Sequence, residues 1–300
     1  MSRASCLALV VAASLLAHAK GFFSPPLDYH HHRQINTAAI ARNYHRNGLN
    51  ILKPQVDWEG PYRGLAATEL PAYMWLVGLL WPLGGLGAVW GRVLSMAFSA
   101  LTAVYLFRFV EKDAGRKAAF WAATFFSCIP LEIYFGRTIQ PEAAALCGTM
   151  AALFHWRRAF SDAARPWDWP AAVLAAFLAI GMKLPFLFIL APLAFIAWQK
   201  LGPKSLLSPK VLAAPLLALG ATYAWYRHAS TGSFVVPTKA GEFLFMLEYA
   251  RLPYFAFFQF SSRFPELAAT YGGLVLGWFG ARELVVRSGL RLYAVWWTCV

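Results

Sequence analysis

The sequence predicts an all-α polytopic membrane protein: a bundle of transmembrane helices with surface-lying helices in the loops on one side. Three observations carry this. The 300 residues are 59% hydrophobic and 14% charged, against about 45–50% and about 25% in a soluble domain. Apolar runs recur near 4–23, 70–90, 92–110, 118–136, 142–156, 170–182, 184–199, 211–226, 266–281 and 290–300. Thirteen Trp, twelve Tyr and twenty-four Phe suit aromatic belts at two membrane interfaces. The net charge of +13 would point to nucleic acid in a soluble protein. In a membrane protein it reads as basic cytoplasmic loops with affinity for anionic headgroups, and no nucleic-acid partner is expected. Cys6, Cys128, Cys147 and Cys299 lie in apolar stretches with no pairing pattern, which argues against structural disulfides and zinc sites.

The first run follows Arg3. A signal peptide would end at Ala17-His18-Ala19, but apolar character resumes at Gly21-Phe22-Phe23, so an uncleaved first helix with Arg3 inside is expected. Several later runs are shorter than the about 20 residues that cross a bilayer, so charge must set their register. The short loops 111–117 (Lys112, Arg116, Lys117), 157–169 (Arg157, Arg158, Arg165), 199–210 (Lys200, Lys204, Lys210) and 282–291 (Arg282, Arg287, Arg291) each hold three cations. Each is expected in the cytoplasm. Helix 1 then exits near residue 23 and 92–110 returns, so 70–90 cannot span. It is expected to lie on the outer surface, as its Tyr73, Trp75, Trp81, Trp90 and Gly84-Gly85-Leu86-Gly87 end suit.

Spanning helices are therefore expected at 4–23, 92–110, 118–136, 142–156, 170–182, 184–199, 211–227 and 266–281, with a ninth beginning near 292. The chain stops inside that ninth helix, being either naturally short or a piece of a longer protein. One domain is expected over 1–300, with outer loops at 21–91 and 228–265. The second outer loop, with Tyr254-Phe255-Ala256-Phe257-Phe258, is expected to hold another surface-lying segment.

Chemistry is expected on the outer face. Asp28 sits where the chain leaves the bilayer, a costly place for an acid without a use. Arg33, Arg42, Lys53, Arg63, Arg137 and Lys183 gather on the same side, and so many cations there point to an anionic ligand. Plainer readings compete. Arg33 and Arg42 fit a solvated helix face, and Lys183 fits a snorkelling helix end. Glu69 before Pro71 and Glu142 after Pro141 fit acids at helix starts. Glu132, in the outer half of 118–136, reads equally as a buried polar contact or a cavity wall. His30-His31-His32 invites a metal, but adjacent helical residues point about 100° apart, so three cannot converge on one ion. At most one would join Asp28 or Glu142. No metal site or cofactor is assigned, and a divalent metal is left open.

The order of parts resembles a known family. Asp28-Tyr29, with Ala38-Ala39-Ile40-Ala41-Arg42 behind it, is similar to the acidic start of the first outer loop in the GT-C membrane glycosyltransferases. Glu69-Leu70-Pro71-Ala72-Tyr73-Met74-Trp75 is similar to their Glu-Lys-Pro-Pro-Leu-x-Tyr-Trp segment. Arg92-Val93-Leu94-Ser95, the pair in Arg137-Thr138-Ile139-Gln140-Pro141-Glu142, and Lys183-Leu184-Pro185 follow in family order. The branch resembled is the glycosyltransferase family 39 type, which holds lipid A aminoarabinose transferases and protein O-mannosyltransferases. The resemblance covers roughly residues 20–200. Glu69 is followed by Leu70 where the family has Lys, Asp28 stands alone where relatives often have an acidic pair, and the family's later helices and C-terminal outer part are missing.

The resemblance implies an inverting transfer of a sugar from a polyprenyl-phosphate donor to an acceptor hydroxyl on a lipid, glycan or protein. It places the reaction on the outer, periplasmic side of a plasma or inner membrane. It implies catalytic roles for Asp28 and Glu142, and substrate binding by Glu69, Arg33, Arg42, Lys53, Arg63, Arg137 and Lys183. Two other classes stay open: a transporter of an anionic lipid-linked substrate, which would be expected to show internal repeats, and a non-catalytic lipid-binding subunit.

Overall fold

A computed structural model describes residues 1–27, 30–57, 64–66, 68–204, 208–231, 253–258, 261–262, 273, 275, 277–280 and 291–293. Among these residues the fold is helical without strands, and one isolated antiparallel bridge joins Gln55 to Leu65. The helices are α1 (Arg3–His18), α2 (His31–Asn47), α3 (Ala72–Leu80), α4 (Val89–Cys128), α5 (Pro130–Phe135), α6 (Glu142–Ala159) and α7 (Asp168–Met182). A 3₁₀ segment, Leu184–Ile189, leads into α8 (Leu190–Leu201), followed by α9 (Pro209–Ala229) and α10 (Pro253–Phe258). By length and composition, α4 and the continuous run Leu184–Leu201 could cross a membrane; α1 and α7 are apolar but shorter.

The runs expected at 92–110 and 118–136 form one helix broken at Gly115, where φ is 80° and ψ is 171°. That left-handed backbone is open to glycine at no steric cost. The two arms fold back on each other. Ala103, Phe107 and Val110 of the first arm share a buried cluster with Ala119 and Ala123 of the second and with Cys6 and Val10 of α1. The second arm stops at Ile129, whose extended backbone (ψ 141°) precedes Pro130, and α5 resumes after it. The residue before a proline avoids helical backbone, so the single run read at 118–136 is two helices.

Polar contacts orient these helices. At one end of the bundle Arg3 pairs with Glu111 at 2.5 Å, and the Arg116 guanidinium donates to the Met1 carbonyl at 3.1 Å. At the other end the fully buried His18 ring lies 3.0 Å from the Glu132 carbonyl, and Ser99 Oγ donates to Glu132 Oε1 at 2.6 Å. Glu132 is therefore a buried contact between α4 and α5. The same polarity continues through the rest of the bundle. The Arg157–Asp113 and His155–Asp168 pairs lie at the first end. Leu70 N donates to Gly181 O at 2.9 Å, and Trp225 Nε1 to Thr68 O at 3.1 Å, both at the second. The described parts of the basic loops 111–117, 157–169 and 199–210 thus share one end, and α2 and α3 cap the opposite end.

The segment read as non-spanning, 70–90, holds only the nine residues of α3, about 14 Å of helix, followed by positive-φ glycines at 84, 85 and 87. It is too short to cross the about 30 Å of a bilayer core. Its Gly78 lies tight against α2: a Cβ there would stand 2.8 Å from Tyr44 Cβ and 2.9 Å from the Ala41 carbonyl. Of the second expected surface-lying loop, only the short α10 falls within the described residues beyond residue 231 and before 261.

Candidate functional site

At the end capped by α2 and α3, four side chains from four separate segments form an alternating chain of charge. The Arg33 guanidinium, on the first turn of α2, pairs with Glu69 ahead of α3. Its Nε lies 3.5 Å from Glu142 Oε1 at the start of α6. That same oxygen takes Lys183 Nζ at 2.6 Å. Two acids and two bases sum to no net charge, which lowers the cost of desolvating each of them. The side chains are 17–38% exposed, so the network is reachable from solvent.

Local structure explains why these residues meet. Glu69 is pinned by the bond from Leu70 N to the Gly181 carbonyl, which fastens it to the end of α7. Lys183 is the next residue but one: it leaves α7 in extended backbone (φ −154°, ψ 102°), turning its side chain away from the helix path. Glu142 opens α6 behind Pro141, where the helix dipole favours a carboxylate. Arg33 is set by its neighbour Gln34, fully buried, whose Oε1 accepts from Ile139 N at 3.3 Å.

The network is incompletely paired. Among the described residues Glu142 Oε2 is buried with no hydrogen-bond partner, and Arg33 Nε has only its long ion pair. Two residues before Glu142, Gln140 is fully buried, and among the described residues neither its Oε1 nor its Nε2 has a partner. Leaving a buried polar group unsatisfied costs about 1–3 kcal/mol, so these atoms favour any bound group that can pair with them.

A second layer supports the first. Arg92, at 2% exposure, donates from Nη1 to the Arg137 carbonyl and from Nη2 to the Ser24 carbonyl, each at 3.0 Å. It joins the turn before Glu142 to the segment leaving α1. Arg137 Nη1 donates to the Lys20 carbonyl at 2.9 Å, so Arg137 braces the same junction. The buried Tyr73 hydroxyl donates to Gly91 O at 2.7 Å and lies 2.9 Å from Ser95 Oγ, which donates to Thr138 O at 2.7 Å. Burial pushes the Tyr73 phenol above its ordinary range, so it remains a neutral donor.

Of the residues singled out from sequence, Glu142, Glu69, Arg33 and Lys183 come together. Arg42 does not join them. It pairs with Asp57, which also accepts from Asn43 Nδ2 at 3.0 Å, and so fastens the 48–57 loop to α2. Lys53 is exposed in that loop, with no side-chain hydrogen bond or ion pair among the described residues. Asp28 and Arg63 lie outside the described residues. His30 takes left-handed backbone (φ 58°) ahead of α2, and the His31 and His32 rings lie 4.0 Å apart. Among the described residues no three of His, Cys, Asp and Glu converge to hold a metal. Sequence reasoning missed Gln140 and the bracing role of Arg92. The signal for Arg92 was its place in Arg92-Val93-Leu94-Ser95 at the head of an apolar run; for Gln140 there was none beyond its position between Arg137 and Glu142.

No curated protein matches the chain. Residues 68–226, more than half of its length, match the dolichyl-phosphate-mannose-protein mannosyltransferase family. That span includes Glu69, Arg92, Arg137, Gln140, Glu142 and Lys183, so the chain belongs to this family of membrane-associated GT-C glycosyltransferases.

Proposed function

We propose that this protein is a polytopic membrane enzyme that transfers a sugar, with inversion, from a polyprenyl-phosphate donor to an acceptor hydroxyl. The acceptor is a lipid, glycan or protein on the outer face of a plasma or inner membrane. The observation that carries this reading is the Glu69–Arg33–Glu142–Lys183 network, which combines acids and cations at one end of an apolar bundle. The basic loops at the opposite end support a cytoplasmic place for that end and, with it, an outer place for the network.

The reaction needs two things of the protein. As the acceptor oxygen bonds to the anomeric carbon, the carbon–oxygen bond to phosphate breaks, and polyprenyl phosphate leaves with the bonding pair. Cations must meet the charge on that leaving group, and a carboxylate must take the acceptor's proton. Arg33 and Lys183 supply the cations nearest the acids, and Arg137, Arg42, Lys53 and Arg63 are the further cations this reading assigns to donor binding. Asp28 is the base in this reading. Glu142 and Glu69 hold hydroxyls of sugar or acceptor, and Gln140, with two unpartnered amide atoms, lies close to Glu142 in sequence.

The base assignment is tested with Asp28→Asn in membranes supplied with labelled polyprenyl-phosphate sugar. Transfer is expected to fall about 100-fold or more, and unchanged transfer overturns the assignment. Placement is tested by cysteine labelling from outside the cell: single cysteines at 80–88 are expected to react. Shielding of all of them would mean that 70–90 is not on the outer surface.

A further inference from the structure

We propose that the end of the bundle opposite the candidate site holds a second pocket, which binds the phosphate headgroup of an anionic membrane lipid. A cavity of about 320 Å³ opens there, lined by Asp113, Arg157, Ile196, Gln199, Lys200 and Leu292. All three described basic segments reach it: Arg157 and Lys200 bring cations to its wall, and the third brings Asp113, with the exposed Lys112 adjoining it in sequence. Topology alone asks only that such loops be basic; it does not ask that their cations converge on one cavity.

Arg157 is the fixed element of this pocket. Asp113 holds its guanidinium through both carboxylate oxygens, one at 2.7 Å, and the guanidinium lies 5.0 Å from the Phe109 ring centroid. The Tyr293 hydroxyl donates to Asp113 at 2.8 Å. Asp113 is thereby spent on Arg157, and the charge left over is that of Lys112 and Lys200. Neither lysine makes an ion pair among the described residues. The Lys112 ammonium is held below its ordinary range, first by partial burial and then by the like charges of Arg157 and Lys200, against the weaker pull of Asp113 and Asp162. Cations that repel one another around a cavity are relieved by an anion bound between them.

The apolar surroundings select a lipid over a free anion. A second cavity, about 290 Å³, is walled by apolar side chains of α6 to α9, among them Leu193 of α8. Leu193, Ile196 and Lys200 follow at spacings of three and four, one face of a helix. Likewise Trp156 lines the apolar cavity and the adjacent Arg157 the charged one. Apolar space within the bundle and cations at its end therefore lie in the order of an amphiphile's tail and headgroup. The proposal requires the bundle to be embedded in a membrane, as read above. It does not require the transfer reaction at the other end.

The full chain would be reconstituted in nanodiscs of phosphatidylcholine, alone or mixed with phosphatidylglycerol, and retained lipid read by native mass spectrometry. The wild type is expected to retain phosphatidylglycerol. Lys112→Gln with Lys200→Gln should lower retention at least about tenfold. Lys204→Gln with Lys210→Gln, which removes as much charge outside the cavity, should leave retention unchanged. Equal retention by both double variants overturns the proposal, and equal loss in both reduces it to diffuse attraction. Displacement of the lipid by millimolar inorganic phosphate would make the pocket a free-anion site, overturning the lipid assignment. Transfer by the Lys112→Gln, Lys200→Gln protein should equal that of the wild type, so absence of transfer in both would count against the reading of the opposite end and not against this pocket.

Discussion

The two ends of the bundle each carry partly buried ion pairs, built on different plans. At the loop end, Asp113 and Arg157 form a two-oxygen pair, each side chain only 13% exposed, closed off by the Tyr293 hydroxyl and the Phe109 ring. Planar guanidinium and carboxylate match atom for atom. At the α2–α3 end, charge alternates through Glu69, Arg33, Glu142 and Lys183, one Glu142 oxygen serves two cations, and the other serves none among the described residues. Asp113 engages Arg157 through both of its oxygens, a geometry that ties two helices together. In the network one Glu142 oxygen is shared between two cations, so a single substitution there touches two ion pairs at once.

Substitutions at matched positions break this comparison or sharpen it. Glu142→Gln keeps the shape and removes the charge. It should cut transfer about 100-fold or more, measured per folded molecule with labelled donor, while thermal unfolding changes less than on loss of the Asp113 charge, because Glu69 still pairs Arg33. Loss of fold without a specific loss of turnover would make Glu142 a structural residue like Asp113. Asp113→Asn should do the opposite. It strands the Arg157 charge among helices at a cost of about 3 kcal/mol, seen as a lowered unfolding midpoint, with turnover of the remaining folded protein preserved.

The smallest effect is expected at Arg42–Asp57, an exposed pair on the site end that the network does not use. The hydrogen bond from Arg42, then that from Asn43, holds the Asp57 carboxyl below its ordinary range. A lowered folded-state value contributes stability above the unfolded value of about 4, and that contribution fades as pH falls through the folded value. With Asp57 half exposed, Asp57→Asn should cost under about 1 kcal/mol at neutral pH, and the gap from wild type should narrow steadily as the pH falls below about 4. A gap that persists in acid would show that asparagine disturbs the loop by shape and not by charge.

Much of this was legible along the chain, residue by residue. The apolar runs marked α1, α6, α7 and α9, because burial or lipid contact demands apolar side chains whatever they pack against. The segment 70–90 was readable as non-crossing from charge arithmetic over the basic loops, and α3 is indeed nine residues long. Glu69, Glu142, Arg33 and Lys183 stood out as charges in otherwise apolar surroundings. The pairing among them was not legible, since it joins residues 36 to 109 positions apart through Gly181, Ile139 and the turn before α6. Nor was the exclusion of Arg42: nothing in the sequence distinguishes its guanidinium from that of Arg33, and only the path of the 48–57 loop hands it Asp57. The break at Ile129 was visible in principle through Pro130, but an apolar run conceals a kink because hydropathy is blind to backbone direction.

Composition and charge order alone determined that this is a helical, membrane-type chain with its basic loops segregated from its acidic candidates. Those properties are sums over residues, and they survive any rearrangement of contacts. Which acid meets which cation, which oxygen of Glu142 is left unpaired, and which buried guanidinium braces the junction are different in kind. They follow from the crossing of α2 with α3, the exit of Lys183 from α7 and the register of α6 against both. Distances of a few ångströms between remote residues exist only once the helices have packed.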